Sequence, residues 1–149
     1  MNMESGTIIL AEDDDGHATL IQKNLGRAGI VNPIIRARDG LAVLEILERR
    51  KREAGDSPTG NDKELLFVLD IKMPGMSGIE LLERLKQDPQ HAKIPVIMLT
   101  TTDDRREIDR CYELGCNVYI SKPVEYENFI ESIRRLGLLL QIVQVPTVS

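Results

Sequence analysis

Leu65-Leu66-Phe67-Val68-Leu69-Asp70-Ile71-Lys72-Met73-Pro74-Gly75-Met76-Ser77-Gly78 is the stretch on which the fold turns. Five apolar residues run without alternation, end on a carboxylate and give way to Pro-Gly and Ser-Gly punctuation. An unbroken apolar run of this kind is how a strand reads when both faces of a parallel sheet are covered. Outward from it lie four similar runs: Ile8 to Ala11, Pro33 to Ala37, Ile94 to Leu99 and Val118 to Ile120. Between and after them the apolar residues recur at helical spacing. The sets are Ala18, Ile21, Leu25 and Ala28; Val43, Leu44 and Leu47; Leu81, Leu82 and Leu85; Ile108, Cys111 and Tyr112; and Phe129, Ile130, Ile133 and Leu136. Spacings of three and four place each set on one helix face. Asp39-Gly40 opens the second helix, Asp88-Pro89 closes the third, and the fourth ends near Gly115. Strict strand-helix alternation predicts an α/β fold: a doubly wound, five-stranded parallel sheet with right-handed crossovers and helices on both faces.

The chain has 149 residues, the size of one domain, with a predicted core over about residues 7–137 and an extension over 138–149. The polar, Gly- and Pro-containing stretch 53–64 reads as a mobile surface loop, not a domain linker. No apolar run approaches the roughly 20 residues that span a bilayer, and the N-terminus lacks the basic-then-apolar pattern of a secretory signal. A cytoplasmic protein without membrane contact is expected. Cys111 and Cys116 carry no zinc-site spacing and read as small core residues. A net charge of −5 disfavours nucleic acid as a partner. The one basic run, Arg49 to Arg52, lacks aromatic interleaving and reads as a solvated helix face. His17 and His91 are read as surface residues without a chemical task.

Every chemically suggestive residue falls at the carboxyl end of a strand. Glu12, Asp13 and Asp14 follow the first, Asp70 ends the third, Thr100 ends the fourth and Lys122 follows the fifth. Open α/β sheets bind ligands outside those ends, at the point where strand order reverses. If the order is 2-1-3-4-5, strands one and three are neighbours and Glu12, Asp13 and Asp70 share a pocket. Three clustered carboxylates repel one another unless a cation enters, and Mg²⁺, which takes few carboxylates and keeps room for phosphate oxygens, suits such a cleft. Mg²⁺ and the Lys122 ammonium would offset the three negative charges. Phosphoryl transfer needs positioning and charge stabilisation more than covalent help, so an Asp nucleophile, a metal, a lysine and a hydroxyl suffice.

These residues resemble the response-regulator receiver family of two-component signalling. The likeness rests on Glu12-Asp13-Asp14 after Ile8-Ile9-Leu10-Ala11, on the block from Leu69 to Gly78, on Leu99-Thr100-Thr101 and on Ser121-Lys122-Pro123. It implies a flavodoxin-like (βα)₅ receiver of strand order 2-1-3-4-5, in which Asp70 takes a phosphoryl group from a histidine kinase. Asp13 would ligate Mg²⁺ directly, Glu12 through water, and Lys72 through its backbone carbonyl. Thr100 and Lys122 would hold the phosphoryl oxygens, Tyr119 would be the aromatic switch coupled to Thr100, and Lys122-Pro123 would be a cis peptide. Such a protein is not an enzyme in the ordinary sense, since it catalyses only its own phosphorylation and dephosphorylation. Two residues depart from the usual pattern. Thr101 stands where a smaller residue is common, and Asp14, a third acid, is assigned to the helix N-terminus as a cap or dipole partner.

A haloacid-dehalogenase-type enzyme also uses a strand-end Asp with Mg²⁺, but places a second Asp two residues on, where this chain has Lys72. A flavin carrier on the same fold would need a phosphate-binding loop where this chain has acids. A non-phosphorylatable pseudo-receiver would lack an acid, the acceptor or the lysine, and none is missing. With no output domain after the fifth helix, signalling is expected to pass to a partner protein. The segment Glu12 to His17 with Asp39-Gly40, and the segment Arg135 to Leu138, resemble the standalone regulators of phytochrome-type histidine kinases. Leu136, Leu138, Leu139, Leu140, Ile142, Val143 and Val145 crowd too densely for one helix face. They suggest either a tail folded back over its own domain or, as the sharper reading, a homodimer formed through the fifth helix and C-terminal tail.

Overall fold

A computed structural model describes residues 6–27, 29–54, 65–100 and 104–121. Within them the elements are β1 (Thr7–Ala11), α1 (Asp15–Arg27), β2 (Ile34–Ala37), α2 (Gly40–Ala54), β3 (Leu65–Leu69), α3 (Gly78–Gln87), β4 (Val96–Thr100), α4 (Arg105–Leu114) and β5 (Val118–Ser121). The strands form one sheet in the order β2-β1-β3-β4-β5 that the resemblance implies, and every pair is parallel, as the alternation predicts. All five residues of β3, and all five of β4, are buried.

Strand alternation divides the interior into two layers. Leu65, Phe67 and Leu69 face α2, α3 and α4, meeting Val43, Leu47, Leu81, Leu82, Leu85 and Cys111. Leu66 and Val68 face the opposite side with Ile8 and Leu10, meeting Ala18, Ile21 and Leu25 of α1. The fifth helix read from Phe129 to Leu136 lies outside the described residues, as do Lys122-Pro123 and the tail.

Helix starts are set by short polar side chains. Asp14 Oδ1 accepts from the His17 amide at 2.8 Å, so the third acid of the cluster caps α1 as expected. Asp39 Oδ1 does the same for α2 through the Ala42 amide at 2.8 Å. Ser77 and Asp104 cap α3 and α4. At the end of α4, Gly115 takes a left-handed φ of 104°. The Cys116 amide donates to Cys111 O at 3.0 Å and the Gly115 amide to Tyr112 O at 3.1 Å, a Schellman closure that folds the two cysteines into the same core. Burial pushes the Cys111 thiol up to about 12 and raises that of Cys116.

Four local expectations are corrected. The second helix runs on through Ala54, two residues into the stretch read as loop; 55–64 lie outside the described residues. The fourth strand begins at Val96, not Ile94, because Pro95 has no N–H for the ladder and the Ile94 amide turns back to His91 O at 3.1 Å. His91 is not on the surface: its side chain is 9% exposed, with Nδ1 3.0 Å from Asp88 Oδ2 in the turn that ends α3. Tyr112, placed on the apolar stripe of the fourth helix, is instead half exposed, and its hydroxyl accepts from the Tyr119 amide at 3.2 Å.

Candidate functional site

The β1–β3 ladder brings the acids together. Ala11 registers with Leu69, and the Asp70 amide extends the ladder by donating to Ala11 O at 3.0 Å. On the other side of β1, the Glu12 amide donates to Ala37 O at 3.0 Å. Both acids therefore leave their strands at one level. Carboxylate oxygens of Glu12, Asp13 and Asp70 lie within 4.8 Å of one another. Glu12 and Asp70 are buried, at 1% and 6% exposure, while Asp13 faces solvent. A Mg²⁺ ion with bonds of 2.0–2.1 Å spreads its ligand oxygens over about 3 to 4 Å, so one hard cation fits this trio with little movement.

The backbone around the trio is tied to it. The Asp14 amide donates to Glu12 Oε2 at 3.2 Å, and the Lys72 amide to Asp70 Oδ1 at 3.4 Å. Ile71, Met73 and Met76 turn inward and are buried, anchoring the loop after β3 from below. Gly78 lets α3 begin directly against the acceptor strand. Its amide donates to Ile71 O at 2.8 Å, and a Cβ there would lie 2.8 Å from the Asp70 carbonyl carbon and 2.9 Å from Ile71 Cα. No residue larger than glycine fits without moving the Asp70 backbone.

Thr100 closes β4 on the same edge, fully buried, in register with Ser121 of β5. Its Oγ1 has no hydrogen-bond partner among the described residues. A buried hydroxyl in that state requires an explanation, and a ligand oxygen supplies one. Tyr119 registers with Met98, two residues before Thr100, and is partly buried against the layer that holds Met98. Alternation puts Thr100 and Tyr119 on one face of the sheet.

Of the expected site residues, Glu12, Asp13, Asp70 and Thr100 gather at one edge, with the Lys72 backbone and Tyr119 adjoining. Lys122, Thr101 and the Lys122-Pro123 peptide lie outside the described residues. Sequence reading missed Arg36, which holds the acidic loop by its backbone. Its signal was visible: a charged residue inside the otherwise apolar strand Ile34–Ala37.

The profile of the response regulator receiver domain family matches residues 8–134. The chain belongs to that family. A receiver domain from Rhodospirillum rubrum has a solved structure that superposes with a TM-score of 0.82 at 48% identity, covering 96% of this chain and 99% of that one. The response regulator Rcp1 of Synechocystis is 31% identical over 140 residues, 93% of this chain and 92% of its own length. The Mn²⁺-bound form of Rcp1 superposes with a TM-score of 0.78 over 97% of this chain and 99% of that one. The phosphorylated cyanobacterial phytochrome response regulator RcpA gives the same TM-score at 26% identity, covering 97% of each chain.

Proposed function

We propose that this receiver is a phosphoacceptor switch that takes a phosphoryl group from a histidine kinase onto Asp70 and reports its state to a partner protein. The observation that carries the reading is the meeting of the buried Asp70 carboxylate with Glu12 and Asp13 within 4.8 Å. In the transfer, an Asp70 carboxylate oxygen bonds to phosphorus as the phosphorus–nitrogen bond to the kinase histidine breaks. Bound Mg²⁺, held by Asp13, Asp70 and the Lys72 carbonyl with Glu12 acting through water, would supply charge neutralisation for the phosphoryl oxygens. Thr100 then offers its hydroxyl to the new dianion and Lys122 its ammonium. Once Thr100 moves toward the phosphoryl group, Tyr119 on the same face can follow it inward. That coupling needs only about 1–3 kcal/mol to change partner affinity.

The receiver acts on no separate substrate in this reading. Likeness to RcpA, a phytochrome response regulator, supports a phytochrome-type histidine kinase as the donor. The apolar residues crowded from Leu136 to Val145 support a homodimer through the fifth helix and tail as the assembly, and the setting in this reading is cytoplasmic. Among the described residues, no helix is long and apolar enough to cross a membrane. Acetyl phosphate with Mg²⁺, followed by intact mass, tests the reading: one phosphoryl group should add to the wild type and none to Asp70→Asn. An equal gain in both, or a gain unaffected by chelating the metal, would sink it.

A further inference from the structure

The loop carrying Glu12, Asp13 and Asp14 is gripped from outside by one guanidinium. Arg36 is the charged residue of β2, and its side chain is 19% exposed. It lies over the end of β1, where Nε and Nη2 both donate to the Glu12 carbonyl oxygen, at 2.9 and 2.8 Å. Its Nη1 donates to Asp15 Oδ1 at 2.7 Å. The two fixed points, Glu12 O and Asp15, bracket Asp13 and Asp14. Arg38 also reaches Asp15, at 3.3 Å, but is 71% exposed and has no bond to the loop backbone among those described. Asp15 is held below the usual carboxylate range, first by its hydrogen bond from Arg36 and then by the charge of Arg38.

Two effects of Arg36 on a cation beside Glu12 and Asp13 oppose each other. Its positive charge repels the ion. Its planar fork, with three nitrogens engaged at fixed angles, fixes the backbone from which both acids project, which removes the ordering cost from binding. The grip falls on a carbonyl and on Asp15, so neither Glu12 nor Asp13 spends its carboxylate on Arg36. We infer that Arg36 is a positioning residue for the cation site, raising its affinity by holding the Glu12 to Asp15 loop in the binding geometry. This inference rests on the metal reading proposed above.

Calorimetric titration of the full chain with Mg²⁺, well below each variant's unfolding temperature, separates the possibilities. Arg36→Lys keeps the charge and loses the fork. It should weaken Mg²⁺ binding by about tenfold, the loss usual for removing a group that orients a metal ligand. Arg36→Gln should weaken it as well, despite relieving repulsion, and Arg38→Gln should leave it within about twofold. Phosphorylation by acetyl phosphate should then need more Mg²⁺ for half-maximal rate, with the maximal rate recovered at saturating metal. Asp15→Asn, a change at an exposed anchor, should give a smaller loss in the same direction even if an Arg36 variant folds poorly. Wild-type affinity in Arg36→Lys, or tighter binding in Arg36→Gln, would overturn the inference. Asp13→Asn reports on the reading beneath it: if that variant binds Mg²⁺ like the wild type, the metal site itself is wrong, whatever Arg36 does.

Discussion

Thr100 holds a buried hydroxyl that has no hydrogen-bond partner among the described residues, at the edge where Asp70 follows β3. Removing a buried, unpaired polar group while keeping its shape is neutral or stabilising, because the desolvation cost of about 1–3 kcal/mol disappears with it. Thr100→Val should therefore raise the unfolding temperature of the unphosphorylated protein. The same change removes the donor that the phosphoryl group would meet, so beryllofluoride should stabilise the variant less than the wild type. A variant that loses stability in the resting state, measured by thermal unfolding, would show that Thr100 is satisfied there. Thr100 was legible in the sequence as a strand-end hydroxyl, but its unpaired state was not, because pairing depends on neighbours from other strands. Arg36 was harder still. Its role comes from β2 ending level with the β1–α1 loop, a register that no local pattern reports.

Elements were legible where periodicity and caps agreed. Leu65–Leu69 has the bounds that its apolar run predicts, and Asp39, Ser77 and Gly115 mark helix ends where they should. Misreadings came where tertiary contacts overrode the local pattern. Tyr112 has the spacing of a core residue, but its ring stays half in solvent while its hydroxyl covers an amide of the edge strand β5. His91 looked like a surface residue because the turn after Asp88 folds it inward through a local bond that composition does not signal. The Schellman closure of α4 has a consequence for stability. Cys111 is protonated in the fold up to about 12, against an ordinary thiol value of 9.0, so the unfolded chain releases its proton first as pH rises. The contribution of that buried thiol is intact below pH 9 and lost as pH climbs toward 12. Urea unfolding between neutral pH and pH 11 should show stability falling with pH more steeply in the wild type than in Cys111→Ala. Parallel curves would mean that the thiol is not held in the core. The same burial should leave Cys111 slow to alkylate in the native state.

For the whole molecule, the strand order is what turns scattered residues into a site. Glu12 and Asp70 are far apart in sequence, and only the insertion of β1 between β2 and β3 makes them neighbours. Alternation and handedness give parallel strands but not their order, which came from the likeness to receivers; given that order, the acids at the strand ends made the cluster legible in the sequence. The assembly proposed through the C-terminal leucines is a separate matter, resting on a density of apolar residues from Leu136 to Val145 that one helix face cannot hide. Sedimentation of the full chain at micromolar concentration should find a dimer, and a monomer both with and without beryllofluoride would exclude it. The central claim concerns one carboxylate. An acyl phosphate is reduced by borohydride to an alcohol, which marks the acceptor permanently, so phosphorylated protein can be reduced, digested and mapped by peptide mass. The account predicts homoserine at position 70 alone, in the peptide that carries Ile71-Lys72-Met73. Reduction at Asp13, at Glu12 or at any residue away from this edge, with Asp70 unmodified, would contradict it.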